Sequence, residues 1–155
     1  MPFYSIDDPE FFDEVTPEAL RWTMVIPRKA GMEMATIPIG DGSSGAVGII
    51  QLPPGGTIPR HAHQCKRIEV VLRGSLDVGE GRVVGPGTVM ISEPGDYYGP
   101  HIAGPDGAIT VEIFSSLTSK TDFDDQGDPR MAAIIAMAAA ELKNLVPMYL
   151  GRAGG

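Results

Sequence analysis

Pro53-Pro-Gly-Gly-Thr-Ile-Pro-Arg-His-Ala-His63 is the stretch on which the reading of this chain turns. Two prolines and two glycines make a turn, and the segment they release, 57–63, has the length and bounding residues of a short strand. On a strand, residues two apart share a face, so the imidazoles of His61 and His63 project side by side toward one spot. A β-branched run follows at 67–73. The third histidine, His101, comes after a second Gly/Pro-bounded strand, Gly87-Thr-Val-Met-Ile-Ser-Glu-Pro-Gly95. All 3 histidines of the chain therefore fall between positions 61 and 101. Neutral imidazole is a common ligand for zinc, iron, nickel and copper, and carboxylates complete many such sites. An HxH pair on a strand can also be a polar pair facing solvent. The metal reading is preferred because no histidine is spent anywhere else.

Outward from this stretch, short strands recur at regular spacing, the pattern of an all-β barrel or sandwich. They are expected at 46–52, 57–63, 67–73, 75–78, 81–84, 87–92, 97–102 and 108–115. Gly79-Glu-Gly81, Gly85-Pro-Gly87, Pro94-Gly95 and Gly104-Pro-Asp-Gly107 separate them. Upstream, Thr16-Pro17-Glu18-Ala19 carries the N-cap and proline signature of a short helix, Arg21 to Ile26 alternates like a strand, and Met32 to Ile39 makes another. Gly40 to Gly45 reads as a turn. Downstream, Ser119 to Gly127 reads as a charged, polar link. Asp128-Pro129 then opens a helix to about Leu145, ended by Pro147. That helix is Ala-rich and apolar nearly all round, which suits packing on the barrel or on a second subunit better than a free surface. The organisation expected is one domain: N-terminal strands and a short helix over 1–44, a barrel core over 45–118, and a linker and C-terminal helix over 119–155.

Composition narrows the function. A chain of 155 residues is long enough to bury a real core, and Gly 20 with Pro 14 points to tight turns between short strands. Net charge −8 and the lack of any Lys/Arg cluster argue against a nucleic-acid surface. Nothing reaches membrane-spanning length, since Glu141 and Lys143 stop the apolar run 132–140. The start has neither a positive nor an apolar leader region, so a cytoplasmic location is expected, and the single Cys65 forms no internal disulfide.

Gly55-x5-His61-x-His63 followed by Val70-Val71-Leu72-x-Gly74 resembles the first signature of the cupin superfamily. Pro86-Gly-Thr-Val-Met-Ile91 followed by Pro94-x6-His101 resembles the second. The similarity covers roughly residues 45–115. It implies a double-stranded β-helix barrel with a C-terminal helix added here, a homodimer, and one divalent metal. Cupins span dioxygenases, isomerases, epimerases, lyases, decarboxylases and non-catalytic sensors, so the fold alone does not choose the reaction.

Two departures from the pattern bear on the site. The position where cupins keep a glutamate ligand holds Arg67, which stays protonated and cannot coordinate a cation. Glu69 lies two residues on, on the same strand face. If 61–63 and 67–69 formed a hairpin, Glu69 would stand opposite His61, as a displaced ligand, an acceptor orienting His61, or the partner of an arginine. The second departure is a longer loop, Gly95-Asp-Tyr-Tyr-Gly-Pro100, which brings Tyr97 and Tyr98 near the site mouth with at most one pointing inward. Glu112, between Val111 and Ile113, is expected to face solvent.

A site whose ligands are His61, His63 and His101, with Glu69 as a candidate fourth, resembles the three-histidine cupin dioxygenases, the β-diketone-cleaving type among them. Three neutral imidazoles leave the ion its full double charge, which favours an anionic, chelating substrate. The expected function is a metal-dependent enzyme, with iron(II) favoured and zinc, nickel or manganese as alternatives, cleaving a small enolisable or phenolic compound with oxygen. Glu69 and Tyr98 are its candidate catalytic groups; Arg60, Arg67 and Tyr97 are candidates for binding the small-molecule substrate. The alternatives are a non-oxidative lyase, isomerase or decarboxylase, and a non-catalytic small-ligand-binding cupin.

Overall fold

A computed structural model describes residues 1–40, 44–117 and 120–150. Three short helical pieces come first: α1 (Phe11–Val15), a 3₁₀ helix (Glu18–Met24) and α2 (Val25–Lys29). The strands that follow are β1 (Glu33–Pro38), β2 (Ala46–Leu52), β3 (Thr57–Ile58), β4 (Arg60–His63), β5 (Arg67–Asp77), β6 (Val83–Val84), β7 (Val89–Ser92), β8 (His101–Phe114) and β9 (Thr121–Asp124). Helix α3 (Pro129–Leu150) comes last.

The long strands β5 and β8 form the spine, pairing antiparallel from Arg67↔Phe114 to Asp77↔Ile102. β8 also carries β2 and β3, β2 carries β1, and β5 carries β6 and β7, so seven strands share one antiparallel sheet. β4 and β9 make a separate two-stranded ladder, tied back to the chain before β8 by a bridge between His61 and Tyr98. The architecture is the expected all-β double-stranded β-helix with a C-terminal helix.

Alternation along the strands sorts the faces. In β2, Ala46, Gly48, Ile50 and Leu52 are the buried set, and Ile50 and Leu52 join Leu76, Ala103 and Ala108 in the interior core. A second cluster, Phe11, Phe12, Met24 and Ala35, seats the N-terminal helices against β1. In β5 the buried set begins with charge: Arg67, Glu69, then Val71. One end of the barrel interior is therefore polar, and that end holds the histidines.

Several expectations are corrected. Residues 21–26 are not a strand; they belong to the 3₁₀ helix, whose Met24 is buried with Phe11, Phe12 and Ala35, and to α2. Thr16 does not cap that 3₁₀ helix; its buried hydroxyl accepts the Thr36 backbone N–H at 3.2 Å, docking the segment on β1. The strand expected at 97–102 starts only at His101 and runs on into the one expected at 108–115, the two forming β8. Gly104-Pro-Asp-Gly107 bulges within β8, where Ala103 pairs Leu76 and Ala108 pairs Gly74, so four residues stand opposite Ser75 alone. The bulge needs glycine at Gly74: its φ is 70°, and a Cβ there would lie 2.0 Å from the Gly107 carbonyl oxygen. Segments 67–73 and 75–78 likewise join into β5. The expected link over 119–127 contains β9. The C-terminal helix continues past Pro147 to Leu150; proline removes a single N–H from the helix ladder there. Asp128 does cap it, accepting the Arg130 backbone N–H at 2.8 Å. Of the turn expected at Gly40–Gly45, residues 41–43 lie outside the described residues. No helix among the described residues is long and apolar enough to cross a membrane.

Candidate functional site

β4 delivers His61 and His63, and β8 opens with His101. The hairpin that would pair 61–63 with 67–69 does not form. β4 pairs β9 instead, with His61 opposite Phe123 and His63 opposite Thr121, because β5 is already occupied by β8 and β7. Glu69 consequently faces Glu112, and not His61, across the β5–β8 ladder. Glu112 is buried, correcting its expected solvent orientation. Residues directly opposite on an antiparallel pair share a face, so an inward Glu69 forces Glu112 inward as well.

Two carboxylates opposite one another repel, and Arg67 resolves this. Its Nε donates to Glu112 Oε1 at 2.9 Å, and its Nη2 pairs with both Glu69 Oε2 and Glu112 Oε1. All three side chains are nearly inaccessible, at 1%, 2% and 6% exposure for Arg67, Glu69 and Glu112. Burial opposes the charge on Glu112, but Arg67 outweighs it and holds that carboxyl below its usual range. Glu69 is pushed up to about 7 by burial and by the neighbouring Glu112. One guanidinium thus leaves Glu69 as the carboxyl that takes up a proton near neutrality.

The imidazoles share a different pattern. Burial lowers the pKa of His61; burial, then His61, lowers His63 to about 4; burial, then the Arg67 charge, lowers His101 to about 3. All three are neutral at physiological pH. Two of them have Nδ1 in a hydrogen bond, and the third has Nδ1 near the buried Glu69. His61 Nδ1–H donates to the Pro59 carbonyl at 2.8 Å, His63 Nδ1 lies 3.2 Å from the Thr121 hydroxyl, and His101 Nδ1 lies 3.7 Å from Glu69 Oε2. For His61, whose Nδ1–H is held by a carbonyl, this leaves Nε2 as the nitrogen available to a ligand.

Tyr98 stands among them. Its ring centroid is 4.5 Å from that of His61, 5.5 Å from His101 and 6.3 Å from His63, and the Arg67 guanidinium carbon lies 4.1 Å from it. Its hydroxyl is buried with no hydrogen-bond partner, and burial followed by the nearby Glu112 charge pushes its pKa up, so the phenol stays protonated. Of the tyrosine pair, Tyr98 turns inward and Tyr97 stays 45% exposed at the rim beneath Arg60, whose guanidinium carbon lies 5.1 Å from the Tyr97 ring centroid.

The residues fit a divalent ion by donor chemistry: three neutral imidazoles, two of them hydrogen-bonded through Nδ1, beside an orphaned buried hydroxyl. Among the described residues, no group of three or more His, Cys, Asp or Glu side chains is gathered at coordinating distance. Sequence reasoning placed Glu112 on the wrong face and missed Thr121 and Phe123, whose ring lies 5.6 Å from that of His61. The period-2 alternation of Thr121 and Phe123 between aspartates was the available signal for β9.

No protein-family model matches the chain, and no curated protein does. Solved structures do match. An uncharacterized conserved protein with a double-stranded β-helix domain from Klebsiella pneumoniae is 18% identical, with a TM-score of 0.52 over 79% of this chain and 96% of that one. The polyketide cyclase RemF from Streptomyces resistomycificus is 18% identical, with a TM-score of 0.52 over 66% of this chain and 83% of that one. The complex of SigE with the anti-sigma ChrR from Rhodobacter sphaeroides matches over 54% of this chain at 21% identity and a TM-score of 0.48. There the match spans less than half of the other chain, 45%. At such identities the likeness shows the fold.

Proposed function

We propose that the barrel interior holds one divalent transition metal, iron(II) foremost, on His61, His63 and His101, and that the protein uses it with oxygen to cleave a small enolisable or phenolic compound. The observation carrying this reading is the gathering of three buried or half-buried, neutral imidazoles around Tyr98, two of them with Nδ1 hydrogen-bonded to the protein. Bound there, iron(II) would supply Lewis acidity toward a chelating anion and a means of engaging oxygen.

The chain's own groups have separable tasks. Pro59 and Thr121 hold the His61 and His63 rings; the Pro59 carbonyl also fixes the His61 tautomer. Tyr98, protonated and without a partner, donates its hydrogen to an oxygen atom of the substrate once the ring has yielded the space it fills. Arg67 balances Glu69 and Glu112, which places its charge beneath the pocket and leaves its donors committed to those carboxylates. We include in this proposal a cytoplasmic homodimer.

Oxygen uptake tests the reaction. The iron(II)-loaded protein should consume oxygen in proportion to a supplied β-diketone or dihydroxybenzoate, and the zinc-loaded protein should not. Turnover of either compound by the zinc form without oxygen would replace this reading with the lyase alternative. Thr121→Val tests the orienting contacts. Losing the hydroxyl 3.2 Å from His63 Nδ1 should weaken metal affinity by roughly 10- to 100-fold with little effect on stability. An unchanged affinity in a competition titration would show that His63 is oriented by something else.

A further inference from the structure

Beside the histidine pocket, on the outer side of Tyr98, lies an open cleft of about 420 Å³. The Tyr98–Gly99–Pro100 segment lines it together with Arg60, Arg82, Tyr97 and Gln126. Arg82 sits on the turn between β5 and β6, held by a tight hairpin in which the Val78 N–H donates to the Arg82 carbonyl and the Arg82 N–H to that of Gly79. Its side chain is the unusual feature. Among the described residues every other arginine guanidinium reaches an acceptor: Arg21 a carbonyl, Arg28, Arg67 and Arg73 carboxylates within the fold, Arg60 Asp124 and Arg130 Asp128. Arg82 reaches none.

In a chain of net charge −8, an unneutralised guanidinium in a cleft is a conspicuous positive feature. A second arginine, Arg60, lines the same cleft. Arg60 holds Asp124 only at 3.3 Å and lies over the Tyr97 ring, so part of its donor fork remains for a ligand. Glu80 also lines the cleft and Asp124 pairs with Arg60, so the local charges balance and the attraction for an anion rests on the unpaired Arg82 guanidinium. Tyr97 adds an exposed aromatic surface at the same rim.

We infer that this cleft is a recognition site for the carboxylate of a small aromatic acid, anchored by Arg82 and Arg60 and flanked by Tyr97. Planar carboxylates match the two-pronged guanidinium fork, and an aromatic body suits the tyrosine-lined wall. Tyr98 belongs to both the cleft and the histidine pocket, so an acid held at the rim would direct its far end toward the imidazoles. The inference rests on the proposed function for that direction and narrows its substrate class to acids, but binding in the cleft stands apart from the metal.

Calorimetric titration with benzoate, and with benzamide as the neutral isostere, tests it at low ionic strength. Benzoate should bind and benzamide should bind at least tenfold more weakly. Arg82→Met, a surface change, should weaken benzoate at least tenfold, in the range of a lost charge-assisted hydrogen-bond pair. Glu80→Gln should tighten it. The variant carrying both His61→Ala and His63→Ala should bind benzoate within threefold of the wild type, whatever becomes of its metal. Equal binding of the two compounds, or an unchanged benzoate affinity in Arg82→Met, would overturn the inference. Loss of benzoate binding in the double histidine variant would also overturn it, by placing the anion at the imidazoles. Loss of metal alone would bear only on the proposed function.

Discussion

Arg67→Met is expected to destabilise the protein by about 3–5 kcal/mol, a fall of roughly 6–20 °C in thermal midpoint. The guanidinium is the cation between two carboxylates that the β5–β8 register places opposite one another, and all three side chains are buried. Methionine fills much of the volume but leaves Glu69 and Glu112 facing each other without a counter-charge. One carboxyl then must stay protonated, and the remaining ion has lost its principal partner. Tyr98 loses the flat cation against its ring as well. Adding Glu69→Gln and Glu112→Gln to Arg67→Met removes the stranded charges and should restore a large part of the loss. Urea unfolding of the single and triple variants measures both effects. A wild-type midpoint in Arg67→Met would mean that the triad contributes nothing to the fold.

That triad also shows where sequence reading stopped. Period-2 patterning and Gly/Pro punctuation located β2 at its observed bounds and most of the barrel, because each strand's inward set is local information. Burial of Arg67 and Glu69 on one face followed from the same rule. The position of Glu112 did not, because it depends on which strand lies beside β5. That choice is made by long-range pairing, and the sequence between 61 and 69 suggested a hairpin partner that β9 in fact supplies from 58 residues away along the chain, as the Thr121–His63 contact shows. β9 itself is four residues long and reads as a polar linker, since its aspartates face away while Thr121 and Phe123 meet the histidines. The N-terminal segment failed for a different reason. Residues 21–26 alternate, but Met24 is drawn into a cluster with Phe11, Phe12 and Ala35, and burying that helical face outweighs strand propensity. At the candidate site, the clustering of the three histidines was legible from spacing, as was the inward turn of no more than one of Tyr97 and Tyr98. The Nδ1 partners were not, because Pro59 and Thr121 act through a backbone carbonyl and a hydroxyl whose positions only the folded chain defines.

The second large effect concerns the histidines. Replacing His61 and His63 together with alanine should abolish metal binding, since a single remaining imidazole cannot hold a divalent ion against water and buffer. The fold should survive: both side chains carry no charge at neutral pH, and the β4–β9 ladder is made by the backbone. A circular dichroism spectrum and thermal midpoint close to the wild type would separate loss of ligands from loss of structure.

Metal analysis of anaerobically purified protein, wild type beside this double variant, tests the central claim most directly. The account predicts one divalent transition metal per wild-type chain, iron when iron is supplied, and none in the variant. Full occupancy in the variant, or a wild-type protein that binds no divalent transition metal under any loading condition, would contradict it.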